Sequence, residues 1–255
     1  MKKLLALALS LFLTSAARAA VALDATTAFQ DSLSNASLSY SHTCAANASV
    51  LLVKVVLFST GADTITSATY DGVSMTRGEF NNGSATQDLM GYVFYLNSPH
   101  SGTHTVLVTA SGIADFVSSS ESWTGTDTSH AWVDFATVQC GTPASGATTC
   151  TVDLGAVYPI SYLVGVNTFF TGSGSATVSS GAGNVTEFSS LTNADGTTFG
   201  LTGEKTSTQA TSNISYDLND AGILSAISMN VPTPPPAPST PSAFQGVTVK
   251  GIRTK

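Results

Sequence analysis

Charge is what this chain has least of. Only 10% of its 255 residues are charged, where an average soluble domain carries about a quarter. Lys and Arg together number nine, too few and too scattered for the basic patches that track along DNA or RNA, so nucleic acid is excluded as an expected partner. The long side chains that favour helix are scarce with them. Cysteine is limited to Cys44, Cys140 and Cys150, and no C-x-x-C spacing occurs, which leaves a zinc or dithiol redox site without sequence support. No G-x-S-x-G, H-E-x-x-H or Walker loop is present. The glycine-rich "TGSGSATVSSGAG" (171–183) lacks the following helix whose N-terminus would hold a phosphate, and reads as a flexible loop. After the N-terminus, no apolar run approaches the roughly 20 residues that cross a bilayer.

What is abundant is hydroxyl. Ser and Thr number 71 and Gly 22. Thr, Val, Tyr and Phe fit pleated, half-buried surfaces, and apolar residues recur with the two-residue rhythm of strands. "VLLVKVVLFS" (50–59) is a near-continuous apolar run and predicts a central strand buried on both faces. "TITSATYDGVSMTR" places Asp71-Gly72 between alternating segments, a two-residue hairpin turn. "NSPHSG" (97–102) is turn chemistry, after which His104, Val106, Val108 and Ala110 share one face of a strand. Segments such as "LMGYVFYLN", "FVSSSESWTG", "AWVDFATVQ", "YPISYLVGVNTFF", "SNISYDL" and "GILSAISMNV" continue the series. The expectation is an all-β fold: a single-domain, two-sheet antiparallel β-sandwich.

The ends differ from the body. "MKKLLALALSLFLTSAARA" has a basic n-region, a short apolar run and a small-x-small cleavage site, which predicts a secretory signal peptide over 1–19. The expected localisation is therefore secreted, extracellular or cell surface, with no membrane span in the mature chain. The sandwich domain is expected over 20–231. "PTPPPAPSTP" (232–241) is a proline-rich, semi-rigid linker. The tail over 242–255 holds Lys250, Arg253 and Lys255 and no acid. The body has 16 acids against Lys54, Arg77 and Lys205, a formal −13. "GVTVKGI" (246–252), which carries Val247, Val249 and Ile252, alternates and could add as a docking strand to a partner's sheet edge.

Several side chains are candidates for a site. Cys140 and Cys150 lie on the arms of an expected hairpin and could be joined in a disulfide worth roughly 2–3 kcal/mol. Cys44 is then a buried small hydrophobe or a partner in another pairing. Trp123, Trp132, Tyr92 and Tyr95 could offer a stacking platform to glycan, although aromatics equally fill cores. Asn193, Asp195, Asp217, Asn219 and Asp220 cluster oxygen donors that suit Ca²⁺, and equally suit turns. Asp115 and Glu121 fall on one strand face with Val117 and Ser119, either a polar groove or, the preferred reading, a solvent face. Ser98, His100, Ser101 and His104 are types a hydrolase uses, but types without geometry define no triad.

"VALDATTAFQDSLSNASLSYSHT", "VLLVKVVLFS", "ITSATYDGVSMTR", "GYVFYLNSPHSGTHTVLVTASG" and "VSSSESWTGTDTS" occur in that order. Together they resemble an uncharacterised group of jelly-roll-like β-sandwich domains found in secreted bacterial proteins and phage structural or tail-associated proteins. The resemblance covers about 21–231 and implies a binding or structural role without shared catalytic residues. The resulting expectation is a non-enzymatic, secreted or surface module that recognises glycan or a surface protein through its loops, with no cofactor beyond Ca²⁺. Two alternatives stand beside it: a phage virion or tail accessory protein, and a secreted glycan hydrolase with an unrecognised carboxylate pair.

Overall fold

A computed structural model describes residues 21–58, 64–82, 89–128, 132–140, 148–156, 162–170, 186–192, 198–206, 211–218 and 222–229, and side chains within 21–57, 64–78 and 90–128. The expected signal peptide, proline-rich linker and basic tail, with Val247, Val249, Lys250, Ile252, Arg253 and Lys255, lie outside the described residues. The described elements are all strands: β1 (Ala22–Asp31), β2 (Asn35–Cys44), β3 (Ala48–Phe58), β4 (Ile65–Tyr70), β5 (Val73–Ser74), β6 (Thr76–Asn82), β7 (Leu89–Asn97), β8 (Gly102–Thr124), β9 (Trp132–Cys140), β10 (Thr148–Ala156), β11 (Tyr162–Phe170), β12 (Thr186–Thr192), β13 (Thr198–Thr206), β14 (Thr211–Leu218) and β15 (Gly222–Met229). No helix among the described residues is long and apolar enough to cross a membrane.

The N-terminal half is an antiparallel, nearly closed, barrel-like sheet in the order β5-β4-β8-β3-β7-β6, with β1 and β2 also pairing to β8. β8 makes this possible by its length of 23 residues. Its first half pairs with β2 and β4, and its second half with β1 and β3. The change of partners falls at the exposed stretch Ser111–Ile113. Ser32 stitches that bend: its hydroxyl donates to the Ala114 carbonyl and accepts from the Phe116 N–H, each at 3.0 Å. Both groups would otherwise be orphaned where β8 leaves one ladder for another.

β3 is the central strand its apolar run predicts. Val50 to Val53 and Val55 to Leu57 are all buried. Its alternate residues Leu51, Val53, Val55 and Leu57 face inward onto Leu38 and Tyr40 of β2, Tyr70 of β4, Tyr92 and Phe94 of β7, and Val106 and Val108 of β8. Burying each such side chain contributes about 1.5–3 kcal/mol. The opposite face of β3 is buried as well, because β13 approaches β8 while β11 and β15 approach β7.

The expected hairpin turn is present. Thr69 pairs with Ser74 and Tyr70 with Val73, and Asp71 and Gly72 take φ of 51° and 73°. Two positive φ values match the right-handed twist of the flanking strands. The 97–102 turn joins β7 to β8, with Ser98 and Gly102 at φ 50° and 106°.

β9 to β15 form two further ladders. One runs β12-β13-β11-β15-β9 and the other pairs β10 with β14. The described ladders thus join β9 to β15 and β10 to β14, not the two cysteine-bearing arms to each other. Cys140 and Cys150 stand in those strands, and their side chains lie outside the described ones.

Candidate functional site

Two connected polar clusters stand at one end of the barrel. The first joins β1, β2 and β8, with His42 and Ser122 buried and Asp24 and Thr27 half-buried. Asp24 accepts from the Ser122 hydroxyl at 2.7 Å and from the Ala45 N–H at 2.9 Å. His42 Nε2 lies 3.1 Å from Ser122 Oγ, and His42 Nδ1 lies 2.8 Å from Thr27 Oγ1. Burial drives the His42 imidazole down to about 4, against a smaller opposing pull from Asp24, so the ring is neutral at ordinary pH.

These contacts assign the protons. A carboxylate only accepts, so Ser122 donates to Asp24. Ser122 Oγ then accepts from Nε2–H of His42, and the bare Nδ1 accepts from Thr27. The constellation contains serine, histidine and aspartate, but its hydrogen bonds run the wrong way for nucleophile activation: the serine proton points at the acid, and the nitrogen facing the serine already carries a proton. Cys44 sits beside it as a free, buried thiol. Burial pushes that thiol up, away from the thiolate that makes a cysteine reactive. This is the small-hydrophobe role weighed for it.

The second cluster is at the surface, where the Asp71-Gly72 turn meets the β7–β8 turn. His100 Nδ1 lies 2.8 Å from Asp71 Oδ2, and His104 Nδ1 lies 3.1 Å from Asp71 Oδ1. The His100 side chain keeps 62% of its surface exposed. His104 Nε2 lies 3.0 Å from the Ser101 carbonyl. The His100 contact, ahead of the His104 charge, lowers the Asp71 carboxyl below its usual value. Tyr70 connects the clusters: its ring meets His104 edge-on at 5.5 Å and His42 at 6.4 Å, and its hydroxyl donates to the Gly102 carbonyl at 3.0 Å. The histidines of 97–104 therefore meet an acid, but on an open surface, with a serine carbonyl in place of a serine hydroxyl. Among the described residues, no group of three or more His, Cys, Asp or Glu side chains is placed to hold a metal ion.

The aromatic candidates separate. Trp123 is fully buried, beside Val50 across the strand pair. Tyr92 is buried on the opposite, inward face, stacked on Phe94 at 6.5 Å with the Arg77 guanidinium 4.9 Å above its ring. Tyr95 is half-buried on the face Tyr92 does not use. Trp132 lies in β9 with its side chain outside the described ones. Tyr92 and Trp123 thus reach neither solvent nor each other, because β7 and β8 both flank the central strand and bury two faces.

The preferred reading of the Asp115–Glu121 face as solvent-facing is corrected. Asp115 is half-buried, whereas Val117, Ser119 and Glu121 are buried, and Glu121 is paired with the equally buried Lys54 of β3. Periodicity identified the shared face correctly, but not what covers it. Of the Ca²⁺ candidates, Asp217 lies in β14 opposite Thr149; Asn193, Asp195, Asn219 and Asp220 lie outside the described residues, as does the side chain of Asp217.

Sequence reasoning missed Asp24, His42 and Ser122 as a group. Asp24 and Ser122 are 98 positions apart, and only the pairing of β1 and β2 with β8 unites them. No family model, no curated protein and no solved structure matches the chain.

Proposed function

We propose that the protein is an exported, non-enzymatic binding module whose ligand is a neutral glycan, recognised by the outer face of β2, the first half of β8, and β4. One observation carries this reading: that face is a lattice of hydroxyls without a single charge, on a body that carries 16 acids. Ser37 stands opposite Thr109, Ser41 opposite Thr105 and Thr43 opposite Thr103, while Ser67 and Thr69 extend the rows onto β4. Ser37, Ser39, Ser41, Thr43, Thr103 and Thr105 are exposed, around an exposed Leu107. The repeats are about 4.8 Å between strands and about 6.7 Å along them. Thr43 and Thr103 hold each other at 2.7 Å, which limits the rotamer entropy lost on binding. Each hydroxyl both donates and accepts, which suits sugar hydroxyls and disfavours an ionic partner.

The predicted signal peptide supports export. The two ladders that share β8, with a core between them, support a jelly-roll-like sandwich as the fuller architecture. The inward-directed Ser122 proton and the neutral His42 support a structural rather than a catalytic use of those residues.

The test is retention on insoluble neutral polysaccharides and on a glycan array. Wild-type protein is expected to bind with little dependence on salt, because screening acts only on charge. Ser39→Lys with Thr105→Lys should reduce retention at least tenfold while leaving thermal unfolding in place. Binding that survives those substitutions, or a wild type that retains only charged ligands, overturns the assignment.

A further inference from the structure

We propose that Lys54 and Glu121 are joined in the folded protein by an intramolecular amide bond between Lys54 Nζ and Glu121 Cδ, formed by the chain itself with the Ser119 hydroxyl as proton carrier.

The geometry comes from strand register. β3 and β8 are adjacent antiparallel strands, with Lys54 opposite Ser119 and Leu52 opposite Glu121. Lys54, Ser119 and Glu121 therefore share one face, with Glu121 on the diagonal that a long lysine spans. The Lys54 ammonium and the Glu121 carboxylate are in direct contact, and both side chains are wholly buried. On that face Val93 lies opposite Lys54 on β7, Val56 and Leu52 flank it on β3, Val117 precedes the serine on β8, Tyr95 stands opposite Leu52, and Thr26 of β1 stands opposite Glu121. The Ser119 hydroxyl is buried with no hydrogen-bond partner among the described residues.

With both side chains wholly buried, two separated charges are expensive, and a proton passing from nitrogen to oxygen leaves a neutral amine beside a neutral acid. Burial lowers the lysine, opposing the pull of Glu121 that would keep it charged. The amine lone pair can then attack Cδ. The Nζ–Cδ bond forms and the Cδ–OH bond breaks. Ser119 takes one proton from nitrogen and returns its own to the departing hydroxyl, which leaves as water. Nothing is oxidised or reduced, and no co-reactant is consumed. Fixed contact supplies the high effective concentration that uncatalysed amide formation lacks. A neutral amide is also far cheaper to keep buried than an ion pair, and exclusion of water disfavours the reverse reaction. The bond would weld residues 67 positions apart across the central strand pair, a reinforcement suited to a thin-surfaced exported domain.

The measurement is the intact mass of the full mature protein under denaturing, reducing conditions, followed by a tryptic map. The expected mass is lower than that of the plain chain by one water. The expected map shows no cut after Lys54, and residues 20–77 remain linked to 78–205. Lys54→Met should restore the full mass. Should that variant fail to fold, the wild-type map alone decides. Ser119→Ala should slow at least tenfold the appearance of the linked product when chain recovered unfolded and unlinked from inclusion bodies is first folded. A wild type of full mass, cut normally after Lys54, is a plain buried ion pair and overturns the proposal. A water loss that maps elsewhere, such as the Asp71-Gly72 step, overturns it equally, and an unchanged rate in Ser119→Ala removes the serine from the mechanism.

Discussion

Leu33 and Ser34 hold φ of 49° and 59° in the turn between β1 and β2, a left-handed conformation that costs a residue bearing Cβ about 1–2 kcal/mol. Leu33 gains nothing from burial in exchange, since 67% of it is exposed. The turn is kept by its surroundings: the Asp31 carboxylate accepts the Leu33 N–H at 2.8 Å, and Asn35 donates to the Ser32 carbonyl at 2.6 Å. Leu33→Gly should therefore raise stability by about 1 kcal/mol, read as a higher urea midpoint with unchanged slope. A fall in the midpoint would mean that the leucine side chain makes contacts the native state needs. Gly72 is the contrasting case, at φ 73° with open space where a Cβ would go. There the sequence already carries the residue the turn prefers.

At the scale of elements, the Asp24–Ser122–His42–Thr27 chain ties β1 and β2 to the second half of β8. Its pH dependence follows from the direction of the His42 shift. The folded value near 4 lies below an unfolded value of about 6.5, so between the two the unfolded chain binds more protons and stability rises with pH. The contribution is fully present above about pH 6.5 and is lost as the pH falls toward 4; by the size of the shift it amounts to about 3 kcal/mol. Asp71 does not blur this window, because its lowered carboxyl loses its stabilising charge only at more acid pH. Urea unfolding at pH 7 and pH 4.5 should show the loss in wild type and a much smaller one in His42→Gln. Equal losses in both would assign the acid sensitivity to other groups.

Over the whole molecule, the topology joins distant parts of the chain. Ala22 pairs with Thr124, and Ala48 pairs with that same residue from the other side. β8 is the last strand of the barrel to be made, and it must be in place before β1, β2, β3 and β4 can close on it. Loop-closure entropy is therefore spent before most contacts form. Refolding of the reduced protein from urea should accordingly be slow, on the order of milliseconds to seconds or longer. A microsecond relaxation in temperature jump would contradict this ordering. The same non-local pairing explains which parts of the fold were legible. The β3 run, the Asp71-Gly72 turn and the inward face of Val106, Val108 and Ala110 were all readable, because each is decided within a few residues by periodicity or by positive φ. The chain through His42 was not, since its members come from three strands. Nor was the fate of the Glu121 face, which depends on what lies over it.

By itself the sequence determined a β-rich, hydroxyl-rich chain with few charged residues, most of them acidic, since composition and two-residue alternation act residue by residue. The tertiary structure alone decided that β8 serves two ladders, that Trp123 and Tyr92 are core, and that Lys54 meets Glu121 out of reach of water. Those outcomes depend on register between strands and on burial of a second face, and neither is encoded in any local stretch of the chain.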